Sequence, residues 1–137
     1  MDLSLDGKIA MITGGSRGLG LQITTALARE GCRVSICGRD GRRVDDRVAE
    51  FIANGYQARG TGADVTVEED SAKFYEETVS EMGSPDILVN NVGGRRGSAN
   101  IEDTSMEQFL DGLDVNLISA VRLSKMVLGH MKTQRWG

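Results

Sequence analysis

The sequence has 137 residues, 16 of them basic and 20 acidic, for a net charge of −4. That length holds one domain and not two. The acidic balance argues against nucleic acid as the main partner, because neutralising phosphates needs a basic excess or a dense basic face. The 39% hydrophobic residues and 18 glycines are normal for a globular domain. No run approaches the ~20 apolar residues of a membrane span. The acidic start, Met1-Asp2-Leu3-Ser4-Leu5-Asp6-Gly7, lacks the basic and apolar regions of a signal peptide.

In chain order, Lys8-Ile9-Ala10-Met11-Ile12-Thr13-Gly14 reads as a buried strand running into a glycine turn. Helical spacing then places Leu19, Ile23, Ala26 and Leu27 on one face, stopped by Gly31. Arg33 to Cys37 is a second strand, and Val44, Val48, Phe51 and Ile52 form a helical stripe closed by Asn54-Gly55. A weaker third strand spans Gln57 to Thr61. Thr66-Val67-Glu68-Glu69 has the spacing of a capping box, opening a helix through Tyr75, Val79 and Met82. Asp86 to Asn90, after Pro85, is a fourth strand. A second capping box, Ser105 to Gln108, opens the longest helix. One apolar stripe of that helix runs through Phe109, Leu110, Leu113, Leu117, Val121 and Leu128, and another through Val115, Ile118, Leu123 and Met126. Two apolar sides require two coverings, one the sheet and the other a partner chain. The alternation predicts an α/β fold, a parallel sheet with helices on both faces.

Cys32 and Cys37 fit neither a C-x-x-C redox motif nor half of a zinc site, and read as two buried thiols of a cytoplasmic protein. With His130 the only histidine, a His-based metal cluster and a Ser-His-Asp triad are both excluded.

Thr13-Gly14-Gly15-Ser16-Arg17-Gly18-Leu19-Gly20 joins the first strand to the first helix. Glycines there let the backbone turn tightly, bring N–H groups against a pyrophosphate and let the helix pack close to the sheet, while the helix N-terminus supplies partial positive charge. It is not a P-loop, because no Gly-Lys-Ser/Thr follows. Thr13-Gly14-x-x-x-Gly18-x-Gly20 resembles the cofactor fingerprint of the short-chain dehydrogenase/reductase family. Asp64-Val65 is similar to that family's adenine-contacting pair. Asn90-Asn91-Val92-Gly93 resembles its Asn-Asn-Ala-Gly motif, with Val92 in place of alanine. Asn116, in Asp114-Val115-Asn116-Leu117, matches its active-site asparagine.

These four motifs, in order and at the family's usual separations, span the chain. The resemblance implies a Rossmann-type doubly wound parallel sheet, ending here after the fourth strand and the long helix, with residues 1–137 as the cofactor-binding domain. It implies a cofactor site of Thr13, Gly14, Ser16, Arg17, Gly18, Leu19 and Gly20 from the loop. Arg39, Asp64 and Val65 would join from the next two strand ends, and Asn90, Asn91, Val92 and Gly93 from the fourth. Asn116 would be the catalytic member, and no metal is implied.

Charge bears on which cofactor is used. An NAD-type site wants a carboxylate at the end of the second strand for the ribose 2′-OH, where this sequence has Gly38 followed by Arg39. With Arg17 pointing from the glycine loop, two guanidiniums would pair with a 2′-phosphate, which favours NADP(H) over NAD(H). Asp40 argues the other way, since a slip of one residue would restore an acidic contact. Arg42 and Arg43 read as a solvated helix start. Arg95 and Arg96 lie where the family's substrate cleft begins; they could meet an anionic substrate, such as a carboxylate or a phosphopantetheine carrier, or belong to a flexible surface loop.

Members of the family run to roughly twice this length. Their carbonyl chemistry uses a Ser, and a Tyr with a Lys four residues on; here Tyr56 and Tyr75 are followed at that distance by Gly60 and Val79. The resemblance therefore implies hydride transfer between NADP(H) and a small carbonyl/alcohol substrate, a 3-oxoacyl reductase-like activity among the candidates, for a protein of which this is the N-terminal half. It also implies homo-oligomers, here through the 105–134 helix. The chain alone is expected to be inactive and poorly stable, with an open edge at Ile87, Leu88 and Val89. The alternatives are a non-catalytic NADP(H)-binding module and an inactive truncated fragment.

Overall fold

The computed structural model describes residues 3–137. Four parallel strands form one sheet in the order β3-β2-β1-β4: β1 Ile9–Thr13, β2 Arg33–Gly38, β3 Ala58–Gly62 and β4 Ile87–Val89. The innermost strand, β1, is buried at every residue, as its unbroken apolar sequence requires of a strand covered on both faces. It pairs with β2 from Ile9 opposite Arg33 to Thr13 opposite Cys37, and with β4 from Ala10 opposite Ile87 to Ile12 opposite Val89. β4, at the sheet's edge, is only half-buried.

α1 (Gly18–Arg29) and α2 (Gly41–Ala53) lie on one face of the sheet, over a core of Ala10, Ile12, Val34, Ile36, Val44 and Phe51. α3 (Glu68–Glu81) and α5 (Ser119–Gln134) cover the other, around Met11, Cys37, Phe74, Leu123 and Val127. Cys32 belongs to the first core and Cys37 to the second, and both thiols are free. The chain is doubly wound, and the direction of strand addition reverses at β1, with β4 on the side opposite β2. In such sheets a crevice opens outside the carboxyl ends of the strands at that reversal.

Three helix faces differ from the sequence pattern. In α1 the buried residues are Gly20, Thr24 and Ala28, whereas Leu19 is 65% exposed and Ala26 also faces solvent. Close helix–sheet packing selects small residues, and the Thr24 hydroxyl is satisfied by donating to the Gly20 carbonyl at 2.8 Å. Ile52 of α2 is exposed, and Val44 and Phe51 carry that contact. In α3 the inward residues are Ser71, Phe74 and Thr78.

The capping box at Thr66 does not form; Val67 is the N-cap, because the Thr66 hydroxyl donates to the Asp64 carboxylate at 2.7 Å. The Ser105–Gln108 box does form, opening α4 (Met106–Leu113). α4 runs into α5 through a π-helical turn, Asp114–Ile118, in which the Ser119 N–H donates to the Asp114 carbonyl. The inner side of this long segment buries Val115, Ser119, Leu123 and Val127. Its outer stripe, from Phe109 and Leu110 through Leu113, Leu117, Val121 and Leu128, is exposed. No helix among the described residues is long and apolar enough to cross a membrane.

Candidate functional site

A cleft of about 840 Å³ opens over the carboxyl ends of the strands. One wall is the loop between β1 and α1, contributing Gly14, Ser16, Arg17, Gly18, Leu19 and Gly20. Gly14 turns with φ +65°, which disfavours any β-carbon. At Gly20 a β-carbon would stand 2.1 Å from the Gly14 carbonyl oxygen and 2.6 Å from the Asn91 amide nitrogen. The loop and the first turn of α1 therefore touch backbone to backbone, which holds the N-terminal N–H groups of α1 at the cleft wall.

The loop is also tied to the end of β4. The Asn91 side-chain amide donates to the Thr13 carbonyl at 3.0 Å, and the backbone N–H groups of Asn91 and Val92 donate to the Thr13 hydroxyl at 3.0 and 3.1 Å. Thr13 is buried beneath the cleft, so it acts as the knot between β1 and β4 and not as a wall. Asn91, Val92 and Gly93 line the cleft, whereas Asn90 turns its amide toward the Ser124 hydroxyl at 3.3 Å on α5.

The opposite wall comes from the ends of β2 and β3, with Arg39, Asp64 and Val65. Burial pushes the Asp64 carboxyl up, but hydrogen bonds from the Thr66 hydroxyl and N–H and the charges of Arg39 and Arg96 outweigh it and hold the group below the usual range. The carboxylate is thus a fixed negative charge, with one oxygen already engaged by Thr66. Asp40 also borders the cleft, but it caps α2, accepting from the Arg43 N–H at 3.1 Å and pairing with the Arg43 guanidinium at 3.2 Å. The guanidiniums of Arg17 and Arg39, by contrast, make no hydrogen bond or ion pair among the described residues.

Asn116 lies in the π turn and is outside the cleft wall. Its amide donates to the Gly94 and Gly112 carbonyls at 2.7 and 2.8 Å, and its oxygen accepts from the Gly94 N–H at 2.9 Å. It therefore fixes the chain just beyond Gly93. The neighbouring Val115 reaches the cleft instead.

Sequence reasoning did not assign Cys37, Ala63, Val115, Arg43 or Arg96 to this site, yet all five line it. Cys37 could have been found, since it stands next to the last residue of β2, at the carboxyl end of the sheet. Burial pushes its thiol up to about 12, so it forms an inert wall. Among the described residues no cluster of His, Cys, Asp and Glu could hold a metal ion.

The sheet order, the crevice at the strand reversal and the glycine loop at the mouth of α1 define a Rossmann-type α/β protein. The family model for short chain dehydrogenases matches residues 8–137, and the chain belongs to that family. It is 38% identical over 136 residues to the 3-oxoacyl-[acyl-carrier-protein] reductase FabG of Pseudomonas aeruginosa, covering 98% of this chain and 54% of that one. Mouse L-fucose dehydrogenase is 33% identical over 132 residues, with 94% and 46% covered. Among solved structures, a gluconate dehydrogenase described as putative, from Agrobacterium tumefaciens, superposes with a TM-score of 0.89 at 32% identity, over 97% of this chain and 52% of that one. A metagenomic short-chain oxidoreductase in complex with NADP gives 0.89 at 28% identity, over 98% and 61%. The chain spans about half the length of the curated relatives it matches.

Proposed function

We propose that residues 1–137 form the NADP(H)-binding part of a short-chain oxidoreductase that moves hydride between NADP(H) and a small carbonyl/alcohol pair, with 3-oxoacyl thioesters the leading substrate class. The observation that carries this reading is the pair of guanidiniums without ion pairs, Arg17 and Arg39, which line the same cleft as the side-chain-free Gly38, while Asp40 is occupied in capping α2. Two guanidiniums free of ion pairs on a concave wall suit a 2′-phosphate, with the Asp40 carboxylate near the β2 end taken up by Arg43.

The donor set fits a nicotinamide dinucleotide. Gly14, Ser16, Gly18 and Gly20 shape the phosphate cradle, and the N-terminus of α1 adds partial positive charge. Val65 and Ala63 offer an apolar wall, with Asp64 beside them, for the adenine. When bound, the cofactor supplies or accepts the hydride. Within this chain, Asn91 and Thr13 keep the loop and the β4 end in register, and Asn116 holds the Gly94 backbone at the far end of the cleft. A proton donor must come from outside these residues, since neither Tyr56 nor Tyr75 is followed by Lys four positions on.

Two free, buried cysteines accord with a reducing compartment, and hence a cytoplasmic protein. The exposed stripe on α4 and α5 is the candidate surface for a second copy of the chain.

Thermal unfolding with NADPH or NADH at equal concentration tests the reading, because only ligand bound to the native state raises the midpoint. NADPH is expected to raise it more, and Arg39→Ala to remove the difference while leaving the NADH shift in place. No shift with either cofactor overturns the proposal.

A further inference from the structure

Resting on the dinucleotide reading above, we infer that Arg96, carried by the segment between β4 and α4, is a pyrophosphate-binding residue that closes the cofactor cleft from the side opposite α1. The segment 93–97 follows β4, one edge of the sheet, whereas Asp64 follows β3, the other edge. Two strands, β2 and β1, lie between them, so the two positions start three strand spacings apart, or roughly 14 Å. Even so, Arg96 lines the same cleft as Asp64, and its charge helps to hold the Asp64 carboxyl down. Its guanidinium sits beside Gly94 at the β4 end of that cleft, with Nη1 3.5 Å from where a β-carbon on Gly94 would stand. The strand next to β4 is β1, and the glycine loop that follows it forms the phosphate cradle in the same cleft.

Arg96 is also available. Its one hydrogen bond runs to the Arg95 carbonyl at 3.3 Å, and it pairs with no carboxylate within ion-pair distance among the described residues. Asp64 lies beyond ion-pair distance of Arg96, and one of its oxygens already accepts twice from Thr66. The backbone that carries Arg96 is anchored where it leaves the sheet, because Gly94 exchanges two hydrogen bonds with Asn116. Asn116 thus has a structural consequence within this chain, setting the root of the segment from which Arg96 extends. A cation opposite a helix N-terminus, across a cleft, is the arrangement expected for a doubly charged pyrophosphate held from two sides.

The assignment separates Arg96 from Arg39 by the part of the cofactor each would serve. Arg39 discriminates for the 2′-phosphate; Arg96 acts on a group common to NADP(H), NAD(H) and ADP-ribose. It also differs from Arg95, the adjacent residue of equal charge, which does not line the cleft.

Titration calorimetry of the full chain with NADPH, NADH and ADP-ribose distinguishes these roles, with the wild type, Arg96→Ala, Arg96→Lys and Arg95→Ala measured side by side. Loss of a charge-assisted bidentate contact is expected to weaken all three ligands by about tenfold in Arg96→Ala. Arg96→Lys should recover part of that loss, and Arg95→Ala should bind as the wild type does. Equal binding by wild type and Arg96→Ala overturns the inference while leaving the dinucleotide reading intact. A loss confined to NADPH also overturns it, by moving Arg96 to the 2′-phosphate. A wild type that binds none of the three ligands overturns both readings. Far-ultraviolet circular dichroism of each variant separates lost binding from lost folding.

Discussion

The two ends of the cleft are built on different principles. At the glycine loop, backbone meets backbone: Gly20 against Gly14, with the Asn91 amide in the same gap and Thr13 knotted to β4 below. Beyond β4, the segment through Ser98 and Asn100 and the outer side of α4 are exposed, and Asn116 is the tie that holds Gly94. The first end has fixed geometry because no side chain can yield there. The second displays long side chains, Arg96 and the apolar stripe, whose positions are set by a few anchors. A ligand cradle needs the former, and groups that close over a ligand or meet another surface need the latter.

Substitutions can break or sharpen that contrast. The largest effect is expected at Gly20→Ala, whose β-carbon must displace the Gly14 carbonyl and the Asn91 amide together; overpacking of this kind costs about 3 kcal/mol. Urea denaturation should report it, and a cost below about 1 kcal/mol would mean that the loop has slack.

A smaller effect is expected at Asp86, at the amino ends of the strands and thus the opposite end of the sheet from the cleft. Burial raises its carboxyl pKa, but hydrogen bonds from the Ile9 N–H and Gln134, with the Lys8 charge and His130, hold it below the usual value of 3.8. A depressed folded-state pKa stabilises the protein above the unfolded value, and that contribution is lost as pH falls through the folded one. Stability should therefore decline between about pH 5 and about pH 2, and Asp86→Asn should flatten that limb while costing about 1–2 kcal/mol at neutral pH. An unchanged acid limb in the variant would assign the decline to other carboxylates, such as Glu77, which accepts from Thr61 and Arg59.

The smallest effect belongs to the outer stripe. Leu113 is 41% exposed, and in the monomer, at concentrations where sedimentation finds a single chain, Leu113→Ala should change stability by no more than about 0.5 kcal/mol. A loss above about 2 kcal/mol, typical of a buried leucine, would place that side chain in a core and remove the contrast.

How much could be read beforehand follows the same division. The four strands, the glycine loop and the Ser105 capping box were legible, because each depends on residue types with one strong conformational preference. The inward faces of α1 and α3 were not. Apolar periodicity favours the larger Leu19, Ile23 and Val79, yet these helices approach the sheet through Gly20 and Thr24 and through Ser71 and Thr78. Those hydroxyls are hidden by local hydrogen bonds: Thr24 to Gly20, Ser71 to the Val65 carbonyl, and Thr78 to the Phe74 carbonyl. Thr66 misled for a related reason, since its hydroxyl had a nearer acceptor in Asp64 than the helix it precedes. Arg96 was legible as a charge but not as a wall of this cleft, because its place beside the strand ends follows from tertiary geometry alone.

The π turn at Asp114–Ile118 sets the register of the inner side of the long helix. One extra residue in a helical turn rotates everything after it by about 100° relative to everything before it. Val115, Ser119, Leu123 and Val127 follow one another at four-residue spacing on the inner side, and Asn116 in the same turn holds Gly94. An insertion or deletion within the turn would rotate Leu123 and Val127 off the core or the Asn116 amide off Gly94, so the register across it is the part of the long helix least free to change.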